Sequence, residues 1–119
     1  MTELDKAYLA GIIDGEGYIV FTKRNYLLIK VKMTDLNTIK YLHRTTKLGC
    51  IYSYNPQRDP QKSHYKVLYT WQVSFGQALT VLESIIPYLI TKRKDAFRAL
   101  ELVRIHKSKR LKRGFYQPV

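Results

Sequence analysis

The stretch Leu9-Ala10-Gly11-Ile12-Ile13-Asp14-Gly15-Glu16-Gly17 decides how the rest of the chain is read. Leu9, Ile12 and Ile13 fall at i, i+3 and i+4, one apolar face of a helix. Ala7, Ala10 and Gly11 put small residues on an adjoining face, where a second helix backbone can come close. Gly15 is expected to supply the left-handed residue that ends a helix. Glu16 then stands just past the helix end, followed by a permissive Gly17. A helix C-terminus carries partial negative charge, so Asp14 and Glu16 sit where acids are disfavoured. A local rule broken without evident compensation marks a candidate functional site.

Outward from this stretch, Thr2 can cap the helix, which starts at Glu3 with Asp5 in its first turn and runs to about Asp14. After Gly17 the period becomes two. Tyr18 to Lys23 and Tyr26 to Met33 alternate around a basic turn at Arg24-Asn25, an antiparallel hairpin. Leu27, Ile29, Val31 and Met33 form the face of the second strand that suits a core. Tyr26, Leu28, Lys30 and Lys32 form the face that suits an anion. Thr34 can cap a second helix, with Ile39, Leu42 and Thr46 as its inner stripe, ended by Leu48-Gly49. Residues 49–54 read as a third strand, 55–64 as a loop and 65–73 as a fourth strand. In the fourth strand Val67, Tyr69, Trp71 and Val73 are assigned inward; Lys66, Leu68, Thr70 and Gln72 are assigned outward. A third helix follows Ser74 or Phe75, with Leu79, Leu82, Ile85 and Ile86 as its stripe, and Pro87 closes it. Thr91 can cap a last helix from Lys92 to about His106, with Phe97, Leu100 and Arg104 on its inner side.

The expected fold is α+β: an αββαββα(α) order, a four-stranded antiparallel saddle-shaped sheet, and helices on one face. Residues 1–106 make one domain and 107–119 a basic tail containing Lys107, Lys109, Arg110, Lys112 and Arg113. The helix-free face would present Lys30, Lys32, Tyr52, Tyr54, Lys66, Thr70 and Gln72, flanked by Lys23, Arg24, Tyr26, Arg58 and Lys62. A twisted ribbon of this kind can enter a major groove and read base edges.

Charge points the same way. The 119 residues carry 21 Lys+Arg against 9 Asp+Glu, a net charge of +12. That balance favours a polyanion, with nucleic acid first. An anionic membrane is the rival, but it usually needs an amphipathic basic helix or a lipid anchor. No signal peptide and no membrane span are read from the sequence, so an intracellular protein is expected. The single Cys50 excludes an internal disulfide and a multi-cysteine zinc site, and is assigned to the core or its edge. His43, His64 and His106 have no metal-ligand spacing. No small-molecule substrate is indicated.

Leu9–Gly17 resembles the signature of the LAGLIDADG homing endonucleases. It differs by Ile12 for Leu, Gly15 for Ala and Glu16 for the second Asp. The element order extends the resemblance over about residues 3 to 105, and Ile86 to Lys94 resembles the family's connector into its last helix. The resemblance implies a site-specific double-strand DNA endonuclease acting with Mg²⁺ (or Mn²⁺). One motif copy implies a homodimer on a palindromic or near-palindromic target, with Ala7, Ala10, Gly11 and Asp14 at the helix pair. It further implies Glu16 as the metal ligand from each subunit, assisted by the carbonyl of Gly15, with Asp14 secondary. Lys92 matches the basic residue near the scissile phosphate, with Lys94 as the register alternative. Met33 departs from the pattern, because the family often places there a Gln that orients water. A DNA-binding regulator without cleavage and an intron RNA maturase are the alternatives.

Overall fold

A computed structural model describes residues 1–56, 59–62 and 66–113. The elements are α1 (Glu3–Glu16), β1 (Gly17–Phe21), β2 (Leu27–Met33), α2 (Leu36–Thr46), β3 (Cys50–Tyr54), β4 (Leu68–Ser74), α3 (Phe75–Ile85) and α4 (Arg93–Arg113). Short 3₁₀ turns cover Pro60–Lys62 and Ile86–Tyr88. The strands form one antiparallel sheet in the order β1-β2-β4-β3. The α+β architecture anticipated above is the one observed.

Each element has a local cause. Thr2 and Asp5 form a capping box: the Thr2 hydroxyl accepts the Asp5 N–H at 3.1 Å, and the Thr2 N–H donates to Asp5 Oδ2 at 3.0 Å. This satisfies two donors that a bare helix start leaves open. The cap of α2 is Asp35, whose side chain accepts from the Asn37 N–H, not Thr34. Lys47, in the left-handed region, ends that helix. Gly49 follows with φ +85°, where a Cβ would lie 2.6 Å from the Gln72 carbonyl oxygen. Only glycine fits there, and the tight approach seats the Trp71 indole, which donates to the Leu48 carbonyl at 3.0 Å.

The core lies between the sheet and the helices that cover one face of it. In register, Ile19, Ile29 and Val73 form one inner row; Val31 and Trp71 belong to the next. Leu9 and Ile13 of α1, Ile39 and Leu42 of α2, and Leu82 and Ile85 of α3 cover them. Burying side chains of this size stabilises by roughly 1.5–3 kcal/mol each.

Several side-chain placements differ from expectation. Cys50 is exposed at the start of β3, a strand whose residues all remain accessible. In α4 the sheet side is lined by Ala96 and Ala99, with Leu100 and Val103 half buried; Phe97 and Arg104 point to solvent. Here α4 packs on β1 closely enough that small residues replace large ones. The helix also starts after Lys92, so Thr91 is not its cap residue, and it continues past His106 to Arg113. Leu28, assigned to the polar face of β2, is buried.

Candidate nucleic-acid interface and active site

At the end of α1, Gly15 remains helical rather than left-handed, and Glu16 is the last residue of the helix. Among the described residues the only glycine with positive φ is Gly49. The break comes two residues later than expected, at Gly17 rather than Gly15. Gly17 is extended (φ −106°, ψ −178°) and its N–H still bonds the Ile13 carbonyl. It opens β1 directly, with no linker. A Cβ at Gly17 would lie 3.0 Å from Ile13 Cα, 3.1 Å from the Lys30 carbonyl oxygen and 3.1 Å from Val31 Cγ2. The glycine is therefore required by close packing of helix end on sheet. That packing holds the exposed Glu16 at the junction of α1 and the sheet.

Asp14 has the compensation that the nearby sequence lacks. Its carboxylate accepts the Ile90 N–H at 2.8 Å and the Lys92 N–H at 3.0 Å. Lys92 Nζ donates to the Asp14 carbonyl at 2.6 Å, which places a cation on the negative end of α1. Partial burial pushes the Asp14 carboxyl up. The backbone hydrogen bonds of Ile90, Lys92 and Thr91 and the Lys92 charge outweigh this, so it lies below the ordinary carboxylate value. The Arg93 guanidinium donates to the Pro87 carbonyl at 3.1 Å, closing the same connector. Asp14 thus ties residues 90–92 to the signature helix, 76 to 78 positions away in sequence.

The outer sheet face is built in rows. Tyr18, Lys30, Gln72 and Cys50 are partners across all four strands. Lys32, Thr70 and Tyr52 form the next row, and Leu68 pairs with Tyr54. Lys30 Nζ sits 5.7 Å from the centroid of the Tyr18 ring, within cation–π range. The face thus alternates cations, amide, hydroxyl and aromatic groups, the donor and stacking set that nucleic acid recognition uses. Lys66 is exposed just before β4, and Lys23 and Arg24 are exposed in the β1–β2 turn. Tyr26 stacks on Phe75, with centroids 4.5 Å apart and planes 15° from parallel. Arg58 lies outside the described residues, as do His64 and the side chains of Lys62 and of residues 109–113. Tyr18 and exposed Val20 were not singled out from sequence. Their alternation with Ile19 and Phe21 is the signal that places them on this face.

The expected helix-pairing set divides. Ala10 is fully buried against the chain's own core and has no surface to offer another helix. Ala7 and Gly11 are exposed, and with Leu4, Tyr8 and Gly15 they form an open stripe along α1. A Cβ at Gly11 or Gly15 would meet nothing within 4 Å. Met33 is half buried, opposite Tyr69 in register, and packs against the core. Lys94 is exposed in the first turn of α4. Among the described residues no three His, Cys, Asp or Glu side chains converge as a metal site, and no helix is long and apolar enough to cross a membrane.

No known sequence-family profile matches the chain. Solved structures do match. The homing endonuclease I-CvuI, in complex with the I-CreI target in the presence of Mg with the DNA not cleaved, superposes with a TM-score of 0.65 at 23% identity, over 86% of this chain and 67% of that one. The archaeal intron-encoded homing endonuclease I-Vdi141I, complexed with DNA, gives 0.64 at 14% identity, over 92% and 73%. The LAGLIDADG meganuclease I-AabMI, bound to uncleaved DNA, gives 0.64 at 23% identity, over 92% of this chain but 40% of that one. The chain thus spans about two thirds of I-CvuI and less than half of I-AabMI. With its four-stranded antiparallel sheet, its helices on one face and its signature helix running into β1, this chain has the fold of the LAGLIDADG homing endonucleases.

Proposed function

We propose that this chain is a site-specific, Mg²⁺-dependent (or Mn²⁺-dependent) DNA endonuclease acting as a homodimer on double-stranded DNA. The observation that carries this reading is Glu16: an exposed carboxylate fixed at the junction of α1 and the sheet, beside an open helix stripe of Leu4, Ala7, Tyr8, Gly11 and Gly15. Pairing two such stripes would bring two Glu16 carboxylates and two helix C-termini together. Like charges at close range resist joint ionisation. Hard oxygen donors of this kind suit a divalent cation. The residues that would hold it are Glu16 of each subunit and the Gly15 carbonyl. A cation there supplies water activation and charge stabilisation at the phosphate.

The remaining work falls to the chain itself. The outer rows carrying Lys30, Lys32, Tyr52, Thr70 and Gln72 bind and orient the duplex. Tyr54, Lys66, Lys23 and Arg24 extend the contact. Lys92, held by Asp14 at the end of α1, brings positive charge to the scissile phosphate, with Lys94 as the alternative. The experiment is digestion of a randomised duplex library with Mg²⁺ by the native sequence and by Glu16→Gln. Sequence-specific breaks that vanish in Glu16→Gln while binding persists are expected. Breaks that persist unchanged in that variant would overturn the assignment.

A second reading, specific DNA binding without cleavage, is favoured by two observations. Met33 offers no proton to orient water, and Lys92 Nζ is already engaged with the Asp14 carbonyl. Salt-sensitive specific binding with no breaks would select it.

A further inference from the structure

Gly17 of β1 pairs with Val31 of β2. One step back from Gly17 is Glu16, and one step on from Val31 is Lys32. Their Cα atoms are therefore at most ~13 Å apart, from one antiparallel pair spacing and two Cα–Cα steps. Both residues are exposed, and no ion pair joins them among the described residues.

Lys32 is also the last residue of β2 on the outer face. Met33, which ends the strand, packs against the core. Across the sheet the Lys32 row continues with Thr70 and Tyr52, which add hydroxyls and no charge. Beside Glu16 the outer face thus ends in one ammonium.

The other lysines near this end are placed differently. Lys92 Nζ is committed to the Asp14 carbonyl at 2.6 Å, where it offsets the negative end of α1. Lys30 Nζ lies over the Tyr18 ring, 5.7 Å from its centroid. Lys94 is exposed but belongs to α4, in the helix layer that packs on β1. The Lys32 ammonium has no hydrogen-bond, ion-pair or ring partner among the described residues. A donor already in place and not otherwise engaged can serve charge that develops only during reaction.

We propose that Lys32 is a catalytic residue: its Nζ holds a non-bridging oxygen of the scissile phosphate beside Glu16. The inference rests on the reading of Glu16 as the centre of a nuclease. It goes beyond that reading by adding a free donor on β2 to the charge that Lys92 supplies. In the step, a water oxygen bonds to phosphorus and the bond from phosphorus to one sugar oxygen breaks. A proton of that water ends on the departing sugar oxygen. Lys32 transfers no proton. It stabilises the negative charge that gathers on the phosphoryl oxygens as the new bond forms, where a preorganised donor contributes most.

The test uses the full chain and a duplex selected by binding from a randomised library. Single neutral methylphosphonates replace the phosphates one at a time, and affinity is measured for the native sequence, Lys32→Met and Lys94→Met. At one phosphate per half-site, the cut one, the neutral group should weaken the native protein about tenfold, the scale of one charge-assisted hydrogen bond. Lys32→Met should lose that discrimination, and Lys94→Met should keep it. In single-turnover cleavage with Mg²⁺, Lys32→Met should slow the saturated rate by about 10²–10³, the scale of one lost transition-state donor. The half-saturating concentration should change far less, and Lys32→Arg should recover part of the rate. If the native protein cuts no duplex, the nuclease reading fails, and the affinity map still decides whether Lys32 holds the phosphate beside Glu16. That phosphate must then lie at the junction of the two half-sites, and one placed elsewhere overturns the proposal. Discrimination that survives in Lys32→Met at every position also overturns it, as does its loss in Lys94→Met alone or a saturated rate unchanged in Lys32→Met.

Discussion

Asp14 and Lys92 hold each other twice: the Asp14 carboxylate accepts the Lys92 N–H at 3.0 Å, and Lys92 Nζ donates to the Asp14 carbonyl at 2.6 Å. One residue lies in the last turn of the first helix and the other immediately precedes the last. The pair anchors the connector of α4 to the signature helix. Asp14→Asn would replace one acceptor oxygen by an N–H donor facing a backbone N–H. A loss of about 1–2 kcal/mol is expected, kept at the low end of charged hydrogen bonds by partial exposure. Chemical denaturation at pH 7 measures it.

The same carboxyl gives a pH dependence. Its folded value is depressed below the ordinary ~3.9. Its contribution is therefore complete above the ordinary value and is lost as pH falls through the depressed one. Asp5, lowered by hydrogen bonds from Thr2 and Tyr41, acts in the same direction. Melting curves from pH 7 to pH 2.5 should show stability falling at the acid end. The gap between the native sequence and Asp14→Asn should narrow there.

Glycines in and next to one helix should respond oppositely. Gly17→Ala presses a methyl on backbone and is expected to destabilise by about 1–3 kcal/mol. Gly11→Ala points into open space within a helix and should stabilise the isolated chain by about 0.5–1 kcal/mol. If α1 is the subunit contact, Gly11→Leu should leave the fold intact and abolish the dimer in sedimentation. A dimer unchanged in Gly11→Leu would exclude that stripe as the interface.

For the sheet face, Lys30→Ala and Lys32→Ala should each lower the salt dependence of duplex binding by about one unit of log–log slope. Tyr52→Ala and Gln72→Ala should instead change sequence preference, as base-facing groups do. Binding across a salt series with a selected and a scrambled duplex separates the two classes.

Much of the fold was legible because strand alternation and turn residues agree with one another from Tyr18 to Val73. The inward set Trp71 and Val73 and the outward set Lys30, Lys32 and Gln72 follow from period two alone. The errors arose where packing overrides hydropathy. Phe97 is the more apolar choice for the inner side of α4, but Ala96 and Ala99 are what a close helix-on-sheet approach admits. Ala10 looked free for a partner helix because small residues suit any close contact, including one inside the core. Gly15 looked like a helix stop because glycine permits one; permission is not use, and the steric demand lies at Gly17. For the site, Asp14 and Glu16 were visible in the sequence. The Asp14–Lys92 link was not, since no local pattern encodes a contact across 78 residues.

The direct splice of α1 into β1 at Gly17 has a mechanical meaning. Helix and sheet meet at a welded elbow with no hinge between them. In an assembly joined along α1, the crossing angle of the two helices would be transmitted undamped to the two sheets. The separation of the half-sites they could grip would then be set by the geometry of the helix pair, and changing the volume of residues 7, 8 or 11 would retune reach along the DNA without touching a DNA contact.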